Sequence, residues 1–88
     1  MDLDSTMFFR ADNVQDNATR EILNTVYEAL IEKGYDPINQ IVGFLLTGDP
    51  TYITNHNGAR SLAGRINRAE LLSEIVADYM RSLTGDAE

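Results

Sequence analysis

The chain has no cysteine. This removes a disulfide framework, a thiolate metal site and a thiol nucleophile together, and it suits a reducing cytoplasm. Histidine occurs once, as His56 in a polar loop, without a second histidine or a Glu-x-x-His element near it. A metal site of ordinary type therefore has no ligand set. Glycine-rich phosphate cradles and a Walker-type Lys-Ser/Thr pair are missing, and His56 has no nucleophile elbow to serve. Neither catalysis nor a cofactor is expected. No stretch approaches the ~18 apolar residues of a membrane span, and the first residues lack a basic segment leading into an apolar run. Basic side chains are scarce as well: seven stand against fourteen acids, for a net charge of −7. Over the surface as a whole, that balance repels nucleic acid phosphates and anionic membranes.

What remains is a chain of 88 residues in which 43% are hydrophobic. Such a length gives one domain, and one that buries only about 60–65% of its unfolded surface. A core that thin makes self-association a reasonable expectation.

The stretch Gly34–Ile53, GYDPINQIVGFLLTGDPTYI, carries the same punctuation twice, as Gly-Tyr-Asp-Pro and as Gly-Asp-Pro. Asp36 can cap the free amides of a helix, and Pro37 fits the first helical position, where its missing N–H costs nothing. Gly48 can close that helix in the left-handed conformation. Between them Ile38, Ile41, Val42, Phe44, Leu45 and Leu46 cover an arc of roughly 200° at 100° per residue. A helix so apolar needs cover on more than one side, so these six residues are expected as core or dimer contacts.

Two further helices flank it. The first, from about Asn17 to Lys33, shows the stripe Ile22, Leu23, Val26, Tyr27, Leu30 and Ile31, and Gly34 ends it. The last, from about Arg68 to Leu83, is capped by Asn67, with Glu70 at the third helical position, and carries a second wide stripe through Leu71, Ile75, Tyr79 and Leu83. Asp49-Pro50 predicts a single turn through Ile53, Thr54 to Asn57 reads as loop, and Ala59 to Ile66 as a short helix. The fold class is all-α: three main helices plus one or two short ones over residues 14–88. Residues 1–13 show no helical stripe and are expected as a flexible tail.

Two features are left for function. Arg60, Arg65 and Arg68 fall in a window free of acids, from Asn57 to Arg68. They read either as charge balance or as a patch for an anionic partner. Thr6, beside Ser5 and behind Asp2 and Asp4, offers an accessible hydroxyl in the tail.

The run Gly34–Ile53 resembles closely the IreB-type regulatory phosphoproteins (the YrzL-like small protein family) of Gram-positive bacteria. That family typically has Asn where this chain has Asp36 and Tyr where it has Phe44. Val26-Tyr27, Glu32-Lys33-Gly34, Ala59-Arg60 and Glu74 to Val76 extend the likeness over most of the chain. The resemblance implies a helical, homodimeric, cytoplasmic protein without catalytic activity. It implies control by a membrane-anchored Ser/Thr kinase, with a matching phosphatase, in envelope-stress and antibiotic-resistance signalling, and an unknown downstream protein partner. In the family pattern Thr-Asp-Glu-Thr the second threonine falls on Thr6; Leu3 replaces the first and Ser5 the intervening Glu. The rival reading is a small nucleic-acid-binding module using Arg60, Arg65 and Arg68.

Overall fold

Gly34 decides where the first helix of the body stops. In the computed structural model it is left-handed, with φ of 85°, and its N–H donates to Ile31 O at 3.0 Å while Tyr35 N–H donates to Leu30 O at 2.9 Å. This pair of bonds is a Schellman closure, which satisfies carbonyls that the helix end would otherwise orphan. The structure describes the backbone of residues 2–85 and the side chains of residues 17–85. Helix α1 spans Asp2–Glu32, starting well before the Asn17 expected from the stripe. Neither glycine nor proline precedes Gly34, so no backbone chemistry forces an earlier boundary. The segment expected as a tail, with Thr6 and Ser5, lies outside the residues whose side chains are described.

Helix α2 spans Pro37–Thr47, as expected. Asp36 accepts at its N-terminus from the Ile38 and Asn39 amides, and Gly48 closes it at φ 75°. Next come two single 3-10 turns, Pro50–Tyr52 and His56–Gly58. The second lies where the sequence predicts plain loop; Asn57, at φ 57°, kinks the chain there, a conformation asparagine tolerates better than most residues. Helix α3 is Ala59–Ala63 and helix α4 is Arg68–Thr84. Asn67 Oδ1 accepts from the Glu70 amide at 3.1 Å to start α4. Among the described residues the architecture is all-α.

Every helix contributes to one core. Val26, Ala29 and Leu30 of α1 meet Phe44 and Leu45 of α2, Ile53 of the connection, Ala59 and Ala63 of α3, and Leu71 of α4. The small residues Ala29, Ala59 and Ala63 are all fully buried, which lets short α3 lie close on α1. Buried side-chain donors and acceptors all have partners among the described residues, so the interior carries no desolvation penalty from orphaned polar groups.

The wide arc of α2 divides in two. Phe44, Ile41 and Leu45 turn inward; Ile38, Val42 and Leu46 remain 62%, 46% and 74% exposed. Helix α2 is therefore half covered by its own chain. Helix α4 is covered still less: Leu71 is its one buried side chain among the described residues.

Candidate partner surface and the arginine segment

The acid-free window folds around Ile53. Its side chain is fully buried, and Asp49 and Pro50 turn the chain so that it points inward. Asp49 accepts from Thr51 N–H at 3.0 Å and from Thr51 Oγ1 at 2.7 Å. These two bonds, the backbone one foremost, hold the Asp49 carboxyl below the usual carboxylate range, with the Arg60 charge adding a smaller pull.

Of the three arginines, two have acceptors inside the fold. Arg60 Nε donates to Ile53 O at 2.8 Å. Arg68 Nη1 donates to Leu45 O at 3.0 Å, and its guanidinium lies against Gly48, where an added Cβ would come within 2.6 Å of Nη2. Each bond answers a carbonyl that a helix or turn leaves open, and Arg68 places its charge at the negative end of α2. Arg65 is exposed. The sequence shows three cations in a row; the fold makes two of them braces and leaves one at the surface. Charges alone could not announce this, because the acceptor carbonyls lie seven and 23 residues away.

His56, read from the sequence as a loop residue of no special duty, has a partner: Nε2 lies 2.7 Å from Glu32 Oε1. This contact ties the connection to the end of α1. Tyr52 is fixed from another side, for its backbone oxygen accepts from Gln40 Nε2 at 3.0 Å and its ring lies over Gly43, filling the place a Cβ would take. No group of three or more His, Asp or Glu side chains among the described residues could hold a metal ion.

One concave feature of the surface is apolar. A shallow groove of about 390 Å³ lies where α1, α2 and α4 meet, lined by Leu23, Tyr27, Ile41, Leu45, Leu71 and Ile75 with Arg20 and Asn24 beside it. Elsewhere on its surface α4 exposes Val76, Tyr79, Met80 and Leu83. Scattered apolar side chains are normal on a surface, whereas an apolar groove with further exposed apolar side chains on one of its helices suits a protein contact.

A small helical body with braced turns, a narrow core and broad uncovered helix faces defines a protein that works through its surfaces. The comparisons with known proteins agree with that class. The family described as IreB regulatory phosphoprotein matches residues 4–81, and this chain belongs to that family. It is 49% identical to a UPF0297 protein of Ruminiclostridium cellulolyticum over 88 residues, covering 100% of both chains. A UPF0297 protein of Acetivibrio thermocellus is 52% identical over 85 residues, covering 97% of this chain and 94% of that one. Among the described residues no helix is long and apolar enough to cross a membrane.

Proposed function

We propose that the chain is a non-enzymatic cytoplasmic regulator that acts as a homodimer. Its body binds a downstream protein, and its N-terminal segment receives phosphate at Thr6, with Ser5 as a neighbouring acceptor. A Ser/Thr kinase adds the phosphate and a matching phosphatase removes it, in envelope-stress and antibiotic-resistance signalling. The observation that carries this reading is the match to a regulatory phosphoprotein family over residues that include Thr6.

Several threonine hydroxyls of the body are engaged in local hydrogen bonds. Thr47 Oγ1 donates to Gly43 O at 2.7 Å and accepts from the Asp49 amide. Thr51 Oγ1 donates to Asp49, and Thr84 Oγ1 donates to Arg81 O at 3.0 Å. A phosphate on Thr6 adds about −1.5 to −2 charge and strong acceptor oxygens. Exposed Arg65, with the N–H groups that Arg60 and Arg68 do not spend on Ile53 O and Leu45 O, is its docking site in the body. Exposed apolar faces on α2 and α4, with Ile38, Val42 and Leu46 on the former, support the dimer.

Incubation with the cognate kinase followed by mapping of the phosphate by mass spectrometry tests the acceptor. Modification at Thr6 is expected, and phosphate confined to Thr47 or Thr84 would sink the reading. Docking predicts chemical-shift changes at Arg65 on modification. The nucleic-acid reading has only one fully exposed arginine of the three against a net charge of −7, and gel shifts at about 50 mM salt, a permissive condition, are expected to show no binding.

A further inference from the structure

Asn57 is the chain's one asparagine followed by glycine. Such a pair is chemically labile, because glycine has no Cβ to keep its nitrogen away from the asparagine carboxamide. Asn57 and Gly58 are both exposed, in the 3-10 turn His56–Gly58. Asn57 sits there at φ 57° and ψ 26°, a left-handed conformation that persists at a non-glycine residue only where its surroundings hold it. The holds are on both sides. His56 Nε2 lies 2.7 Å from Glu32 Oε1 at the end of α1, and His56 N–H donates to Thr54 Oγ1 at 3.2 Å. Gly58 N–H donates to Asn55 O at 3.2 Å, and Ala59, next in the chain, is fully buried.

We propose that Asn57-Gly58 is a self-modification site, an asparagine that deamidates to aspartate and isoaspartate when its turn lets go of α1. The reaction needs only water. The Gly58 nitrogen gives its proton to solvent and attacks Asn57 Cγ. The N–Cγ bond forms, the Cγ–Nδ2 bond breaks, and ammonia leaves with a proton taken back from solvent. Water then opens the resulting imide. Cleavage of the new N–Cγ bond yields aspartate; cleavage of the original peptide bond yields isoaspartate, whose main chain runs through Cγ. Ring closure requires the Gly58 nitrogen to stand over Asn57 Cβ, at a ψ of roughly −120° by tetrahedral geometry at Cα. At ψ 26° that nitrogen points nearly the opposite way, and its N–H is spent on Asn55 O. The closed turn therefore blocks the attack, and local opening with loss of the His56–Glu32 contact frees ψ to rotate. The product does not refit. Isoaspartate adds a methylene to the main chain between Asn55 and buried Ala59, and either product puts a carboxylate into a window, Asn57 to Arg68, that otherwise holds arginines and no acid. The site thus records the opening of this turn irreversibly, and it stands independently of the phosphorylation reading.

Incubation of the full chain at mildly alkaline pH provides the test, read by peptide mapping with mass spectrometry and by chromatography that resolves isoaspartate. Circular dichroism is the control for folding. The mass shift of deamidation is expected at Asn57 ahead of every other asparagine. The native chain should react at least ~10-fold more slowly than the same chain in urea, since only the open fraction reacts. His56→Ala and Glu32→Ala remove the contact from either side, and each should raise the native rate about three- to tenfold, the reach of one hydrogen bond. Asn57→Gly keeps the left-handed backbone without the carboxamide and should abolish the shift at this position. Should His56→Ala lose helix content, Glu32→Ala decides, because the Glu32 side chain is 56% exposed and its truncation leaves the core intact. A native rate equal to that in urea, or a folded Glu32→Ala protein that reacts no faster than wild type, overturns the control by the turn. Deamidation at Asn55 or Asn67 ahead of Asn57 overturns the site itself.

Discussion

Replacing Arg68 by Ala separates a brace from a surface charge. In the fold, Arg68 Nη1 donates to Leu45 O at 3.0 Å and the guanidinium covers Gly48. Truncation to Ala leaves that carbonyl, in the last turn of α2, without its partner. A bond from a charged donor is worth about 1.5–3 kcal/mol, and a cation at a helix C-terminus about 0.3–1 kcal/mol. The two overlap, since one guanidinium supplies both, and Arg68 is only partly buried. A loss on the order of 2 kcal/mol is therefore expected. For a domain of this size it corresponds to a fall in Tm of about 8–16 °C. Thermal and urea unfolding, followed by circular dichroism, reads both quantities. Arg65→Ala is the matched control: the same charge is removed from an exposed position, and the change should stay within about ±0.5 kcal/mol. Arg68→Lys keeps the charge but loses the planar fork, so it should fall between the two. If Arg68→Ala and Arg65→Ala cost the same, the brace is refuted and charge balance alone explains the segment.

Leu30 is completely buried, and Leu30→Ala should cost about 2–5 kcal/mol in urea unfolding, the range for a core leucine. Gly43→Ala pushes a methyl group into the Tyr52 ring; a loss of about 1–3 kcal/mol is expected, and the loss should shrink when Tyr52→Ala is already present. A double-mutant cycle in which the two changes simply add would count against the close approach. The depressed Asp49 pKa has a definite sign. Because the folded carboxyl binds its proton more weakly than the unfolded one, its contribution is complete above the ordinary carboxylate value of about 3.9. It fades as pH falls through the lower folded value. Asp49→Asn should flatten that acid limb in unfolding curves taken below about pH 4, and a limb of unchanged steepness would dismiss the effect.

Local chemistry was readable without a fold. Asp36 with Pro37, Gly34, Gly48, Asp49 with Pro50, and Asn67 each act within a few residues, through backbone groups whose positions the chain itself supplies. For that reason the sequence by itself determined where α2 begins and ends, where α1 stops and where α4 starts. It also determined the family, because a run as particular as Gly34–Ile53 needs no third dimension to be matched. The start of α1 was not determined: the stripe begins at Ile22, but nothing before it breaks a helix.

Tertiary structure alone decided what the side chains of those helices face. The arc on α2 looks uniform in sequence, yet packing against α1 and Ile53 covers Phe44, Ile41 and Leu45 and leaves Ile38, Val42 and Leu46 outside. Periodicity reports that a face is apolar and is silent on which part of it the chain can reach. The same holds for Arg60, Arg65 and Arg68. In sequence they are three equal cations, whereas distant carbonyls, brought near by the turn at Asp49-Pro50 and by the end of α2, make two of them structural. A long side chain takes its role from the acceptor it meets, and that acceptor is set by the fold.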